Sequence, residues 1–166
     1  LTMKNTKAGG DFMNNLTQKE KGLLQDQKTN EEICIKKYND YANKAQDPQL
    51  KQLFSSHAKH EQQHLNTINQ LLSGQMPSMN QNQQQGQQGA QGQQPIRAGT
   101  GSKSDGDLCN DILMTEKYVS GAYDTAIFEF RDPNIRQTLN HIQKEEQQHG
   151  ESVFKYMESM GLYNPQ

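Results

Sequence analysis

Two nine-residue stretches, HEQQHLNTI at residues 60–68 and EEQQHGESV at residues 145–153, share the letters EQQH. Their glutamates, Glu61 and Glu146, lie 85 positions apart in a chain of 166 residues. Residues at positions i and i+3 are neighbours on the surface of an α-helix, so each Glu-x-x-His places a carboxylate and an imidazole on one helix face. The two copies therefore predict two helices that carry the same polar pair.

The whole surrounding sequence repeats with the same offset. No gap is needed over about fifty residues, which indicates an internal duplication of one structural unit. The matched pairs include Leu23 and Leu108, Glu31 and Glu116, Tyr38 and Tyr123, Asp47 and Asp132, and Lys59 and Lys144.

Each unit predicts two helices joined at an Asp-Pro turn. Asp47 and Asp132 suit the N-cap position, and the proline that follows each of them suits the first helical position. Gly74 and Gly161 suit the C-terminal caps. The helices are predicted at residues 17–45, 48–73, 105–130 and 133–160. The predicted fold class is all-α, a four-helix bundle made from two tandem helical hairpins joined by a long crossover linker.

The segments outside the helices are polar. Residues 75–104 are rich in Gln and Gly and cannot bury a core, so they are predicted to be a linker. Residues 1–16 are predicted to be a flexible arm, and either Leu1 or Met3 is the start residue. The single domain, residues 17–166, then comprises hairpins 17–74 and 105–163.

The composition excludes several classes of function. The formal net charge is -2, with 17 basic and 19 acidic residues, so nothing indicates a nucleic-acid partner. No apolar run approaches the ~20 residues of a membrane span, and the first residues lack an apolar signal-peptide core. Cys34 and Cys109 fall in helical patterns and are expected as buried thiols of an intracellular protein.

Each predicted helix has one inward-facing seam, the row of residues at alternating steps of four and three. In the second and fourth helices this seam is apolar except at Glu-x-x-His, and in the first and third it carries one glutamate. Four carboxylates buried together are very costly unless cations compensate them. One Glu from each of two helices and Glu-x-x-His from each of the other two is the ligand pattern of dinuclear bundles. The predicted metal ligands are Glu31, Glu61, His64, Glu116, Glu146 and His149.

These ligand types accept two ions of iron or manganese, and zinc as well. A hydrogen-bonded network without metal, a solvated cluster at the bundle mouth and a single bound ion are the alternatives. Tyr38 and Tyr123 lie two turns from the seam glutamates; they are either core residues or donors to the ligand carboxylates. His57 is expected in the core, and His60 and His141 are expected at the surface.

The stretch EEICIKKYNDYANKA, residues 31–45, resembles the first helix of ferritin-like proteins of the rubrerythrin and manganese-catalase types. In that resemblance Glu31, seven residues before Tyr38, is the ligand rather than Glu32. The duplication agrees, because Glu32 aligns with Lys117.

Residues 107–163 resemble the spore coat protein F family more closely. The similar parts are TEKYVSGAYDTAI, DPNIRQTL, EEQQH and the final aromatic after Gly161, although Leu162 stands where the family usually has Trp. The resemblance implies a spore-forming bacterium, a location in the spore coat or mother-cell cytoplasm, and other coat proteins or self-association as partners. It implies no established reaction, and no catalytic residue is assigned.

Three functions follow from these expectations. The first is a coat F-type protein whose dinuclear site is structural or protects against oxidants. The second is a peroxidase-like or catalase-like oxidoreductase that acts on a small oxidant such as peroxide. The third is a metal-free structural coat protein.

Overall fold

A computed structural model describes residues 15–78 and 99–163. The described chain forms four long helices and contains no strand: α1 spans Gln18–Lys44, α2 spans Pro48–Leu72, α3 spans Lys103–Glu129 and α4 spans Pro133–Ser159. The predicted all-α four-helix bundle is confirmed. Most of the predicted arm and of the Gln-rich linker lies outside the described residues.

The helices begin and end where local chemistry requires. Asp47 and Asp132 cap α2 and α4, and each accepts a hydrogen bond from the backbone N–H two residues later. Gly74 and Gly161 follow those helices with φ angles of 79° and 66°, which glycine adopts without strain. These four predicted caps are confirmed.

The start of α3 differs from the sequence expectation by two residues. Ser102 is the N-cap, and its hydroxyl accepts a hydrogen bond from the backbone N–H of Asp105, so the helix begins at Lys103 rather than at residue 105. The segment before it is tied to the end of α4, where the N–H groups of Gly99 and Gly101 donate to the carbonyls of Ser159 and Met160.

Two antiparallel hairpins, α1–α2 and α3–α4, pack against each other. Late residues of α1 contact early residues of α3, as in the pair Lys37–Asp111 at 2.8 Å. Helices α1 and α3 are therefore antiparallel, and α2 ends at the opposite end of the bundle from the start of α3. This connectivity is that of a crossover between the second and third helices, as predicted.

The core consists of two apolar clusters, one toward each end of the bundle. The first includes Leu24, Ile68 and Leu139, and the second includes Phe54, Ile112 and Met157. The predicted ligands interrupt the apolar seams between these two clusters. Cys34 and Cys109 are buried free thiols, as expected, and burial raises the pKa of Cys109 to about 12.

No described helix is both long enough and apolar enough to cross a membrane.

Candidate metal centre

The six predicted ligands meet in the middle of the bundle. Each of the four helices contributes one glutamate, and α2 and α4 each add a histidine one turn later. All six side chains are at most 4 % exposed. They form two overlapping groups, and within each group the candidate ligand atoms lie within 4.8 Å of one another: Glu31, Glu61, His64 and Glu146; and Glu61, Glu116, Glu146 and His149.

Both histidines point Nδ1 at the carboxylates. His64 Nδ1 lies 3.2 Å from Oε2 of Glu61, 3.2 Å from Oε1 of Glu146 and 3.7 Å from Oε2 of Glu31. In the second group, His149 Nδ1 lies 3.0 Å from Oε1 of Glu61. Its distances to Glu146 Oε2 and Glu116 Oε1 are 3.5 and 3.7 Å.

These separations fit ligands around one ion. Imidazole nitrogen and carboxylate oxygen bind transition metals at roughly 2.0–2.2 Å, so neighbouring ligand atoms on one ion lie about 3–3.6 Å apart. Glu61 and Glu146 belong to both groups, and each faces His64 with one oxygen and His149 with the other. The geometry therefore suits two ions bridged by these two carboxylates.

Two buried tyrosines bind the other two carboxylates. Tyr38 donates its hydroxyl to Oε1 of Glu116, and Tyr123 donates its hydroxyl to Oε1 of Glu31. Each bond joins α1 to α3, and the two bonds are equivalent under the sequence repeat. Each tyrosine thus fixes one carboxylate oxygen and leaves the other oxygen free to bind an ion.

The outward nitrogens of the histidines have partners that the seam pattern did not identify. His64 Nε2 lies 2.7 Å from Oε2 of Glu145, and His149 Nε2 lies 3.3 Å from Nδ1 of His60. Such contacts fix the tautomer and the ring orientation of a metal-binding histidine. The expectation that His60 lies on the surface is wrong: it is half-buried, because its ring turns toward α4 and its Nδ1 contacts Nε2 of His149.

Glu145 and His60 occupy equivalent positions in the two repeats, each directly before Glu-x-x-His. This equivalence is the one signal in the sequence that pointed to them. His141 is half-buried too, and its Nε2 lies 3.4 Å from Glu145. His57 is buried, as expected, and its ring stacks on His149 with centroids 4.4 Å apart.

Without a bound ion, the six groups divide into protonated and charged members. Burial raises the pKa of Glu31 and of Glu116 well above the usual value. Burial acts the same way on Glu61 and Glu146, and their mutual repulsion adds to it, but the two imidazoles outweigh both and hold these pKa values low.

The imidazoles respond in the opposite direction. Burial lowers the pKa of His64, yet hydrogen bonds to Glu145 and Glu146 raise it well above its usual value. For His149, the charge of Glu61 and the nearby carboxylates of Glu116 and Glu146 likewise overcome burial and raise the pKa well above its usual value. Metal ligands must be deprotonated, so an ion would take the place of these protons.

Three buried carboxylate oxygens at the centre have no hydrogen-bond partner among the described residues: Oε2 of Glu31, Oε2 of Glu116 and Oε2 of Glu146. An unpaired buried acceptor costs about 1–3 kcal/mol, and more when it is charged. A metal ion bound at each group would give all three oxygens a partner. The donor set therefore fits a metal site.

Comparison with known proteins bears on the second hairpin. Residues 104–166 match the Coat F domain. The chain is also similar to the uncharacterized protein YusN of Bacillus subtilis (strain 168), with 33% identity over 72 residues that make up 43% of this chain. The alignment covers 64% of the length of that relative. No solved structure matches the chain.

Proposed function

We propose that this chain is a spore-coat protein whose helical bundle holds two ions of iron or manganese, with a structural role or a role in protection against oxidants. The ferritin-like character of the bundle is part of the proposal. The Coat F match over residues 104–166 supports the location in the spore coat. The buried cluster of four carboxylates and two imidazoles supports the metal.

The observation that carries the metal proposal is the set of unpartnered oxygens. A buried hydrogen-bond network that was complete without metal would leave no acceptor unsatisfied. One oxygen each of Glu31, Glu116 and Glu146 accepts no hydrogen bond from any residue that the structure describes, while the opposite oxygens of Glu31 and Glu116 are held by tyrosines.

The residues have distinct roles in this proposal. Glu61 and Glu146 would contribute to both metal positions, while Glu31 with His64 and Glu116 with His149 would each complete one. Bound iron or manganese would supply Lewis-acid and redox chemistry at this point. The two tyrosines, Glu145 and His60 would orient the ligands, and an apolar cluster lies on either side of the centre along the bundle.

The test is the metal content, measured by mass spectrometry, of protein purified without a chelator or a metal-affinity step. We expect about two equivalents of iron or manganese per chain, as in other bundles with this ligand pattern. Glu61→Gln and Glu146→Gln, which keep the side-chain shape, should lose both ions because each removes a bridge.

Glu32→Gln is the matched control, because Glu32 is the exposed neighbour of Glu31. It should keep the full metal content. Absence of metal even after reconstitution with iron or manganese would overturn the metal proposal and leave a structural coat protein. If metal is present, turnover of peroxide by the loaded protein distinguishes a catalytic centre from a structural one.

A further inference from the structure

A cleft opens on one side of the centre, between α3 and α4. Its volume is about 590 Å³, and it reaches inward to Glu116 and Glu146. Pockets of roughly 300–1,000 Å³ accommodate small organic ligands, so this space is larger than a diatomic molecule or peroxide requires.

The cleft exists because α3 and α4 carry small residues where α1 and α2 carry large ones. Ser120, Gly121 and Gly150 line the cleft. The repeat-equivalent residues of the first hairpin are Ile35 in place of Ser120 and Leu65 in place of Gly150. The sequence repeat is thus broken on this face, and α1 and α2 pack more closely than α3 and α4.

The lining of the cleft is mixed in chemistry. Leu113, Phe154 and Tyr163 supply apolar wall, and the two aromatic rings meet edge to face with centroids 4.9 Å apart. The charged residues Lys117, Asp124 and Glu151 also line the cleft. Glu116 and Glu146 also line the cleft, and the buried Oε2 of each accepts no hydrogen bond from a described residue. A ligand that fits has an apolar body and one polar head.

We propose that this cleft binds a small organic carboxylate, whose apolar body lies between α3 and α4 and whose carboxylate reaches the metal centre beside Glu116 and Glu146. The inference rests on the proposed function, because a carboxylate head would bind here as a ligand of a metal ion. Carboxylate oxygen is a suitable ligand for iron and manganese, so an ion held by one of the two groups of protein ligands could also accept the head.

The identity of the polar head follows from the state of the centre. Without metal, the cleft presents carboxyl groups, and a small ammonium compound would be the complementary ligand. Two divalent ions would balance the four protein carboxylates, and a carboxylate head would then bind as a ligand of an ion, which a protonated amine cannot do. A carboxylate and an amine with the same carbon chain therefore separate the two cases.

The experiment uses the full chain loaded with cobalt(II), whose visible absorption reports coordination at the centre. Hexanoate is titrated into the loaded protein and hexylamine into the loaded and the metal-free protein. We expect hexanoate to change the cobalt spectrum saturably, and hexylamine to leave the loaded protein unchanged.

Two variants place a larger side chain in the cleft at positions that are not predicted ligands. Apart from the helix's own backbone and chain neighbours, a Cβ added at Gly121 has no described atom within 4 Å, and one added at Gly150 meets only the side chain of Leu113, at 3.9 Å. Both replace a helical glycine with a better helix former, so the fold should not weaken. We expect each to raise the hexanoate Kd at least about tenfold, while cobalt stoichiometry stays unchanged.

Gly22→Leu is the matched control. It makes the same change in α1, outside the cleft and with no atom within 4 Å, and should bind hexanoate like the original chain. Cobalt binding without a hexanoate response, or equal responses in the filled and the original cleft, would overturn the inference and leave the metal proposal standing. Tight hexylamine binding to the metal-free chain would make the cleft an amine site. Failure to bind cobalt would overturn both proposals.

Discussion

At the scale of single residues, the centre depends on groups that hold the ligands as much as on the ligands. Tyr38 and Tyr123 each place a buried hydroxyl on a carboxylate from the other hairpin. Burial and the nearby carboxylates raise the pKa of both phenols well above the usual value, so they remain donors at any physiological pH.

Removing either hydroxyl should therefore weaken metal binding. We expect Tyr123→Phe to lower the affinity for manganese by about 10–100-fold, because Glu31 loses the donor that orients it. Competition with a chromogenic chelator measures the affinity. Tyr41→Phe is the control: Tyr41 donates to the half-exposed Asp111 at 2.6 Å, away from the centre, and its loss should leave manganese affinity unchanged. An equal effect of both variants would contradict the role given to Tyr123.

The two histidines are not equivalent, because His64 is backed by the carboxylate of Glu145 and His149 by the imidazole of His60. A carboxylate partner makes a histidine a stronger ligand, so we expect two unequal binding steps in a manganese titration. His60→Glu should bring the steps closer together by raising the weaker affinity about tenfold. Calorimetric titration measures both steps. A wider gap in His60→Glu would show that His60 itself supports the second position.

The sequence predicted all six residues of the candidate cluster because helical spacing alone decides which side chains share a seam. It did not predict the roles of Glu145 and His60. Both lie beside the seam, and whether such a residue contacts the opposite histidine depends on how closely α2 and α4 approach each other. That distance is a property of packing rather than of either helix.

At the scale of elements, each hairpin forms hydrogen bonds to the interhelical turn of the other hairpin. Glu20, in the first turn of α1, accepts hydrogen bonds from the backbone N–H and the guanidinium of Arg131, at the turn between α3 and α4. Its repeat equivalent, Asp105, accepts the backbone N–H groups of Gln46 and Asp47, at the turn between α1 and α2. Both carboxylates are buried and secure opposite ends of the bundle.

The bond to Arg131 makes stability depend on pH. Burial raises the pKa of Glu20, but the hydrogen bonds from Arg131 outweigh it and lower the pKa from 4.5 to about 2. A carboxyl with a depressed pKa stabilises the fold fully above its unfolded value, and this contribution disappears as the pH falls from 4.5 toward 2. We expect Glu20→Gln to lower the free energy of unfolding by about 1.5–3 kcal/mol at pH 7, and the difference from the original chain to vanish near pH 2.

Urea unfolding at several pH values measures this difference. The control is Glu129→Gln, because Glu129 pairs with Lys19 at 2.6 Å on the exposed surface. An exposed pair contributes at most about 1 kcal/mol. If the difference in free energy of unfolding between Glu20→Gln and the original chain stays constant from pH 7 to pH 2.5, the pKa assigned to Glu20 is contradicted.

The helix limits were predictable to within two residues because caps and Asp-Pro turns are local signals. The hydrogen bonds from each hairpin to the turn of the other were not predicted, although Glu20 and Asp105 align in the repeat. Recognising it required the antiparallel arrangement of α1 and α3, which brings the start of each of these helices to the turn of the other hairpin.

At the scale of the whole molecule, the centre joins the hairpins across their interface. The bonds from Tyr38, Tyr123 and His149 to glutamates, and the contact between His64 and Glu145, all cross from one hairpin to the other. Metal bound here would therefore stabilise the association of the hairpins as well as the fold of each.

A chain cut between Ser78 and Gly99 tests this coupling. A protease site inserted there removes the covalent link, and with it the high effective concentration of one hairpin near the other. We expect sedimentation experiments to show the cut hairpins associated in the presence of manganese. In EDTA, the protein concentration below which the hairpins dissociate should be at least about tenfold higher. Equal association in both conditions would show that the apolar clusters alone hold the hairpins together.

The repeat also bears on the evolutionary origin of the bundle. The second hairpin alone carries Glu116, Glu146, His149, Tyr123 and Asp105, one member of every matched pair at the centre and at the bundle ends. Two copies of such a hairpin, related by a twofold axis, would supply a full set of ligands, donors and turn contacts. A gene half as long would therefore suffice to encode this architecture as a homodimer, and the two halves of the present chain differ on one face, where the first has Leu65 and the second has Gly150 beside the cleft.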